Sequence, residues 1–143
     1  MPTPSYLWSI FSMKCPRCRR GKMYNNKNGY VKLTLSSILD MPEKCKECSQ
    51  KFDMEPGFWF GTSYVSYALT VALSVATFVA WVVLVGVSVT PSKVHLIFWW
   101  LGLNILMLLL LQPWLMRISR VLYIRFFVPY DADYKNTEPK EFE

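Results

Sequence analysis

The stretch TSYVSYALTVALSVATFVAWVVLVGVSV, from Thr62 to Val89, contains no charged residue. A second uncharged stretch runs from Leu96 to Met116. Each is at least as long as the roughly 20 apolar residues that cross a hydrocarbon core about 30 Å thick. Both stretches are therefore predicted to be transmembrane helices, joined by a short turn around Thr90-Pro91-Ser92-Lys93.

Lysine and arginine are distributed unevenly around these stretches. Residues 1–61 carry ten of them, residues 117–143 carry five, and the connection carries only Lys93. Positive charge is enriched on the cytoplasmic side of membrane proteins. We therefore expect a multi-pass protein with both termini in the cytoplasm. This topology also accounts for the net charge of +6, so no nucleic-acid partner is predicted.

The chain has four cysteines, in the pairs Cys15-Pro-Arg-Cys18 and Cys45-Lys-Glu-Cys48. Two C-x-x-C pairs can direct four sulfur atoms at one tetrahedral ion, and a structural disulfide is disfavoured in the reducing cytoplasm. Cys15, Cys18, Cys45 and Cys48 are thus the predicted ligands of Zn²⁺, with iron as the less favoured metal. The 26 residues between Cys18 and Cys45 exceed the usual spacing of roughly 15–20, which indicates an inserted segment.

The part of the chain before the first hydrophobic stretch, about residues 1–57, is too short to bury a large core. Chains below about 70 residues usually need a metal, disulfides or a partner surface. We expect an interfacial turn over residues 6–13, a left-handed Gly21 after the first cysteine pair, a strand leading to a short helix over 31–41, and a short strand over 51–54.

Basic residues crowd the first cysteine pair: Lys14, Arg17, Arg19, Arg20 and Lys22. They could offset the negative charge of a metal bound by four thiolates, or contact anionic lipid headgroups or RNA. Charge compensation together with lipid contact is favoured over RNA, because few stacking aromatic residues lie near the cluster.

Polar and small residues in the hydrophobic stretches predict how the helices pack. Two rows recur every four residues, Ser66, Thr70 and Ser74 on one side and Ala68, Ala72, Ala76 and Ala80 on the other. One row could receive the second helix, leaving the other for a second copy or another membrane protein. Asn104 needs a hydrogen-bond partner, such as a serine or threonine of the first helix.

The two ends of the predicted hairpin carry interfacial residues. Phe58, Trp59 and Phe60 are predicted to lie at the level of the lipid headgroups. Arginines follow the second stretch, and we expect them to snorkel toward phosphates; they are Arg117, Arg120 and Arg125. The polar tail from Pro129 to Glu143 is expected to be flexible.

Four motifs together resemble a known family. They are Cys15-Pro-Arg-Cys18-Arg-Arg-Gly21-Lys22-Met, Cys45-x-x-Cys48, Glu55-Pro-Gly-Phe-Trp-Phe-Gly61 and Ser63-Tyr-Val-Ser-Tyr-Ala-Leu69. Over about residues 13–125 the chain resembles the bacterial membrane family called domain of unknown function 983. The resemblance implies a zinc-ribbon-like head on two transmembrane helices, with the four cysteines as metal ligands. Some relatives are encoded near respiratory oxidase assembly genes. Ser49 stands where we expect glycine.

These observations predict a membrane α-helical hairpin with a small N-terminal zinc-ribbon-like β domain. The predicted divisions are a head over 1–57, the two-helix hairpin with its interfacial extension over 58–128, and the tail over 129–143. The predicted location is the bacterial inner membrane.

We expect no enzyme activity and no small-molecule substrate, because no nucleophile and base, phosphate loop or paired carboxylates are evident. The predicted role is an accessory subunit or assembly factor, with membrane lipids and a larger membrane complex or a second copy as partners. The alternative is metal or redox handling for a respiratory enzyme, by metal delivery or a rubredoxin-like iron site.

Overall fold

The computed structural model describes residues 4–26, 28–30, 34–53, 55–86 and 93–140. In chain order the α-helices are α1 (Tyr6–Phe11), α2 (Leu35–Ile38), α3 (Thr62–Val85) and α4 (Val94–Phe127). A 3-10 turn, Phe58–Gly61, leads directly into α3. The predicted connection at residues 90–92 lies outside the described residues.

The helices α3 and α4 coincide with the two uncharged stretches, and both are long and apolar enough to span a membrane. The most apolar part of α3 is not buried by the protein, as expected for a surface that faces lipid. With 34 residues, α4 is about 51 Å long, which exceeds a hydrocarbon core of about 30 Å. It also continues through Pro113 without interruption. Its last third therefore extends beyond the length needed to span.

Polar contacts join α3 to α4 through Asn104. Its Nδ2 atom donates to Ser74 Oγ at 3.2 Å, and Thr77 Oγ1 donates to its Oδ1 atom at 3.3 Å. The predicted partner on the first helix is thus confirmed.

The two rows of small residues on α3 differ in exposure. Ser66, Thr70 and Ser74 are partly buried, whereas Ala68, Ala72, Ala76 and Ala80 are exposed. The hydroxyl row therefore faces the protein, and the alanine row is left on the outer surface.

The head is built on the extension of α4. Apolar residues of α4 and its C-cap recur every three or four positions on the buried side; they are Ile118, Val121, Ile124 and Val128. Head residues pack against them, including Ile10, Met23, Tyr24 and Phe52. Because one face of α4 and its C-cap packs into the same cluster as these head residues, head and helix share a single hydrophobic core.

The predicted β domain is not shown. In the described ranges the only β pairings are two isolated bridges, Lys14 with Lys22 and Lys44 with Lys51. The segment before Lys14 does not extend the first bridge into a strand, because α1 ends at Phe11 and Met13 has a left-handed φ of 51°. Of the predicted strand over 51–54, only Lys51 takes part in a bridge, and Met54 lies outside the described residues.

Residues 129–140 lie against the head instead of extending into solvent. The amide of Asp131 donates to the carbonyl of Arg17 at 3.1 Å, and Gln50 binds the backbone of Lys140 at 2.7 Å. Head and tail consequently lie at the same end of the helix pair. The divisions at residues 57 and 128 stay predictions.

Candidate metal centre

The first cysteine pair forms a tight knuckle closed by backbone hydrogen bonds. The amide of Cys15 donates to the carbonyl of Gly21 at 2.8 Å, and the amide of Arg19 donates to the carbonyl of Cys15 at 2.9 Å. The chain then reverses at Arg19, which has a left-handed φ of 53°. The Gly21 amide points at Cys18 Sγ, 3.4 Å away, and stabilises a thiolate there.

Gly21 is required for space and not for the left-handed conformation that we expected of it. A Cβ atom at this position would lie 2.3 Å from Cys45 Sγ. The two knuckles approach each other so closely here that only glycine fits.

The second pair repeats the first. The amide of Cys45 donates to the carbonyl of Gln50 at 2.9 Å, and the amide of Ser49 donates to the carbonyl of Cys45 at the same distance. Ser49 has a φ of 57°, so it adopts the conformation for which glycine is the usual residue. This conformation accounts for the glycine that we expected at this position.

The four sulfur atoms form one compact cluster. All lie within 4.8 Å of one another, with Cys15 and Cys48 at 3.7 Å and Cys18 and Cys45 at 3.8 Å. A tetrahedron with metal–sulfur bonds of about 2.3 Å has edges of about 3.8 Å. The four cysteines are between 0% and 6% exposed. Their distances and burial therefore fit a closed site for one metal ion.

Contacts among the thiols also favour metal binding. Interaction with the Cys15 thiol lowers the pKa of Cys18, and it is also the main cause that lowers the pKa of Cys45 to about 7. Interaction with Cys18 raises the pKa of Cys15 in turn. Contacts within the cluster therefore favour the thiolate form of Cys18 and Cys45, and a bound cation would favour it for all four cysteines.

Arg17 joins the metal centre to the tail. This buried guanidinium donates to the carbonyl of Cys48 at 3.2 Å, to the carbonyl of Thr137 at 2.6 Å and to that of Glu138 at 2.8 Å. It also pairs with Asp131 at 3.4 Å. Its position next to the cysteines supports charge compensation as the role of this member of the basic cluster.

The neighbouring cation Arg19 is held inside the protein as well. Its guanidinium carbon lies 4.1 Å from the centre of the Tyr130 ring, and its Nη1 atom donates to the carbonyl of Pro4 at 3.3 Å. Arg17 and Arg19 therefore contact protein groups where the sequence also allowed lipid.

Gln50 joins the second knuckle to the tail, as Arg17 joins the first. Its fully buried amide donates to the carbonyl of Lys140 at 2.7 Å and accepts from the amide of Lys140 at 3.0 Å. Sequence reasoning did not identify Gln50, because a single glutamine after a cysteine pair carries no periodic or motif signal.

Arg117 was expected to snorkel toward lipid, and this expectation is wrong. Its side chain is 1% exposed and lies 4.6 Å from the Tyr24 ring. Its Nε atom donates to the carbonyl of Ile38 at 2.8 Å, and its Nη1 atom donates to the carbonyl of Asn26 at 2.9 Å. Arg117 thus anchors the segment between the two knuckles on α4.

The run before α3 is also fixed against α4. Gly57 adopts a left-handed φ of 88°, and a Cβ atom on Gly61 would overlap the Tyr123 ring at 2.2–2.5 Å. Phe58 packs on the rings of Tyr123 and Phe127, about 5 Å between centres. The turn into α3 therefore docks on the same extension that carries the head.

Comparison with known proteins gives one family. The model described as "Protein of unknown function (DUF983)" matches residues 35–115, more than half of the chain. The matched residues include Cys45 and Cys48, all of α3 and most of α4, whereas Cys15 and Cys18 precede them. No curated protein and no solved structure matches.

Proposed function

We propose that this chain, which belongs to the DUF983 family of proteins of unknown function, is a membrane-anchored protein. It would have a structural zinc site and no enzymatic activity. Its role would be that of an accessory subunit or assembly factor of a larger complex in the bacterial inner membrane. The head and both termini would lie on the cytoplasmic side, as the distribution of lysine and arginine favours.

The burial of all four sulfur atoms carries this proposal. Catalytic zinc sites keep one position open for water or substrate, whereas structural sites are closed by four protein ligands. Cys48, the most exposed of the four, is only 6% exposed. Zinc suits this set because it prefers tetrahedral sulfur ligation and is redox-silent. When bound, the ion would supply folding free energy to the head and no chemistry on a substrate.

The exposed side of the second knuckle is the surface that we propose for a partner. Residues Lys44, Lys46, Glu47 and Ser49 are exposed there. The first knuckle, by contrast, is covered by α1, by the extension of α4 and by the tail. The metal would keep the second knuckle in one conformation, as recognition by a partner requires.

The outer face of α3 supports docking within the membrane. Its row of exposed alanines allows close approach of another helix backbone. A larger membrane protein could therefore contact the chain laterally while the head contacts the same complex from the cytoplasm.

The test is purification of the tagged full chain in mild detergent, followed by identification of co-eluting proteins. We expect a defined partner in fixed ratio with wild type and its loss with Lys46→Glu on the second knuckle. Lys135→Glu in the tail is the control of equal charge change and should retain the partner. A chain that elutes alone as a monomer, under conditions that preserve membrane complexes, would contradict the proposal.

Metal analysis of the same sample separates this role from metal or redox handling. One tightly held zinc per chain is expected. Exchangeable copper, or a coloured iron centre, would replace the structural role by metal delivery or electron transfer.

A further inference from the structure

A cavity of about 300 Å³ separates the beginning of α3 from the extension of α4. Its walls combine hydroxyl groups of both helices with Arg120 and with the apolar side chains Tyr67 and Met116. On α4 it lies at residues 116–120, where the uncharged stretch ends and the arginines begin. In a membrane-spanning chain this is the level of the lipid phosphates.

Arg120 supplies the positive charge of this cavity. Its guanidinium lies 4.7 Å from the Trp59 ring and reaches only the weak acceptor Met41 Sδ, at 3.7 Å. Within the described ranges no carboxylate forms an ion pair with it. A half-buried guanidinium placed in this way is suited to an incoming phosphate, because it keeps several donors in a fixed planar arrangement.

The hydroxyl groups supply acceptors instead of donors. Ser63 Oγ donates to the carbonyl of Phe60 at 2.7 Å, and Thr70 Oγ1 donates to that of Ser66 at 2.8 Å. On α4, Ser119 Oγ donates to the carbonyl of Met116 at 2.9 Å. Because each hydroxyl proton is donated to a backbone carbonyl, these oxygens keep lone pairs that can accept hydrogen bonds from the hydroxyl groups of a ligand.

We propose that this cavity binds the headgroup of an anionic phospholipid whose phosphate carries a polyol, such as phosphatidylglycerol. Arg120 binds the phosphate, and the oxygens of Ser63, Thr70 and Ser119 accept hydrogen bonds from the headgroup hydroxyls. Tyr67 and Met116 contact the first carbons of the acyl chains. A lipid in this position would bridge the beginning of α3 and the extension of α4.

The test is native mass spectrometry of the full chain in mild detergent, titrated with defined lipids. Wild type should bind one phosphatidylglycerol at least about tenfold more tightly than phosphatidylcholine, the scale of one charge-assisted hydrogen bond. Phosphatidic acid, which has the charge without the polyol, should bind between the two. Equal affinity for all three lipids would contradict the proposal. Equal affinity for phosphatidic acid and phosphatidylglycerol would contradict the proposed hydrogen bonds between the headgroup polyol and the serine and threonine oxygens.

Variants locate the site. Arg120→Gln should weaken phosphatidylglycerol binding at least about tenfold, and Ser66→Leu, which fills the cavity without changing charge, should do the same. Lys135→Gln removes an exposed lysine of the tail and should leave affinity within about twofold of wild type. Elution volume and helix content confirm that each variant is folded. Unchanged binding by Ser66→Leu would exclude the cavity.

Competition with soluble phosphate compounds tests whether the bound phosphate belongs to a lipid. Glycerol phosphate and inorganic phosphate, which lack acyl chains, should fail to displace the bound lipid at millimolar concentration. Displacement by either of them would assign the cavity to a soluble phosphate compound and overturn the lipid assignment.

Discussion

The Nε atom of Arg117 lies 2.8 Å from the carbonyl oxygen of Ile38, so that a side chain of α4 holds the segment between the two cysteine knuckles. The same guanidinium binds the carbonyl of Asn26 and stacks on Tyr24, whose hydroxyl returns a hydrogen bond to the carbonyl of Arg117 at 3.1 Å. These contacts explain the long spacing between the cysteine pairs. The inserted residues surround an arginine that belongs to α4.

Replacement of Arg117 by glutamine should destabilise the head by about 3 kcal/mol, because the buried carbonyl of Ile38 and the carbonyl of Asn26 lose a charged donor. Thermal unfolding of the purified chain in detergent measures this loss. Arg125→Gln is the matched control on the same helix. Arg125 is less buried and makes one long hydrogen bond, 3.3 Å, to the carbonyl of Lys14. An equal decrease in both variants would contradict the special role of Arg117.

The left-handed residues after each cysteine pair predict opposite effects of glycine. Ser49→Gly should raise stability by about 0.5–1 kcal/mol, because the strain of its φ of 57° is removed. The serine side chain that is lost is exposed, so its removal costs little. Arg19→Gly removes similar strain but also loses the contact with Tyr130, and it should not stabilise. Chemical unfolding of the two variants compares them. Stabilisation by Arg19→Gly and none by Ser49→Gly would reverse the expected order.

Glycine at the start of α3 is required by the neighbouring ring. Gly61→Ala should cost about 1–3 kcal/mol, since the new methyl group would overlap Tyr123, which is itself packed against Phe58 and Phe127. Gly102→Ala on α4 meets no atom within 4 Å and serves as the control. Thermal unfolding should separate the two variants by several degrees. Similar melting temperatures would show that the ring moves aside freely.

Docking of the tail should depend on the charge of Asp131. A hydrogen bond from Thr137 lowers the pKa of Asp131 below its usual 3.8, and the backbone amide of Asp133 and the charge of Arg17 lower it further. The ionised carboxylate therefore stabilises the docked tail at a pH above the usual value, and that contribution is lost as the pH falls through the lowered pKa. Below about pH 4 the amides of residues 129–140 should therefore lose protection, so that their exchange accelerates relative to the intrinsic rate at the same pH.

Asp131→Ala should produce the same acceleration at pH 7, where the cysteine ligands are not disturbed by acid. Asp133→Ala is the control, because Asp133 contributes its backbone amide and carbonyl to the turn and not its carboxylate. Equal exchange in wild type and Asp131→Ala would show that the carboxylate does not hold the tail.

Charge and spacing were sufficient to predict several parts of the molecule. A helix segment in lipid must lack charge, so α3 and the first two thirds of α4 could be located from the uncharged stretches, whereas α4 continues to Phe127. Asn104 could be assigned partners on α3 because a buried amide must be satisfied. The cluster of four cysteines followed from the two C-x-x-C pairs, whose spacing constrains where the sulfur atoms point.

The remaining features depend on tertiary contacts that leave no periodic signal. An arginine at the end of an apolar helix has the same sequence context whether it reaches toward lipid, as expected of Arg117, or enters a protein core. The expected sheet is not shown for a related reason: in the part of the head that the structure describes, the chain packs on α4 and has one bridge at each knuckle. The tail likewise contacts Gln50, a residue that no motif distinguishes.

The central claim is that the four cysteines hold one structural zinc ion, and elemental analysis of the purified full chain tests it most directly. Wild type should contain one zinc per chain that survives prolonged dialysis. Cys18→Ser should lose the metal, and protease should then cleave the head while α3 and α4 stay intact. A wild-type chain that contains no metal, or that holds copper or iron in place of zinc, would contradict the claim.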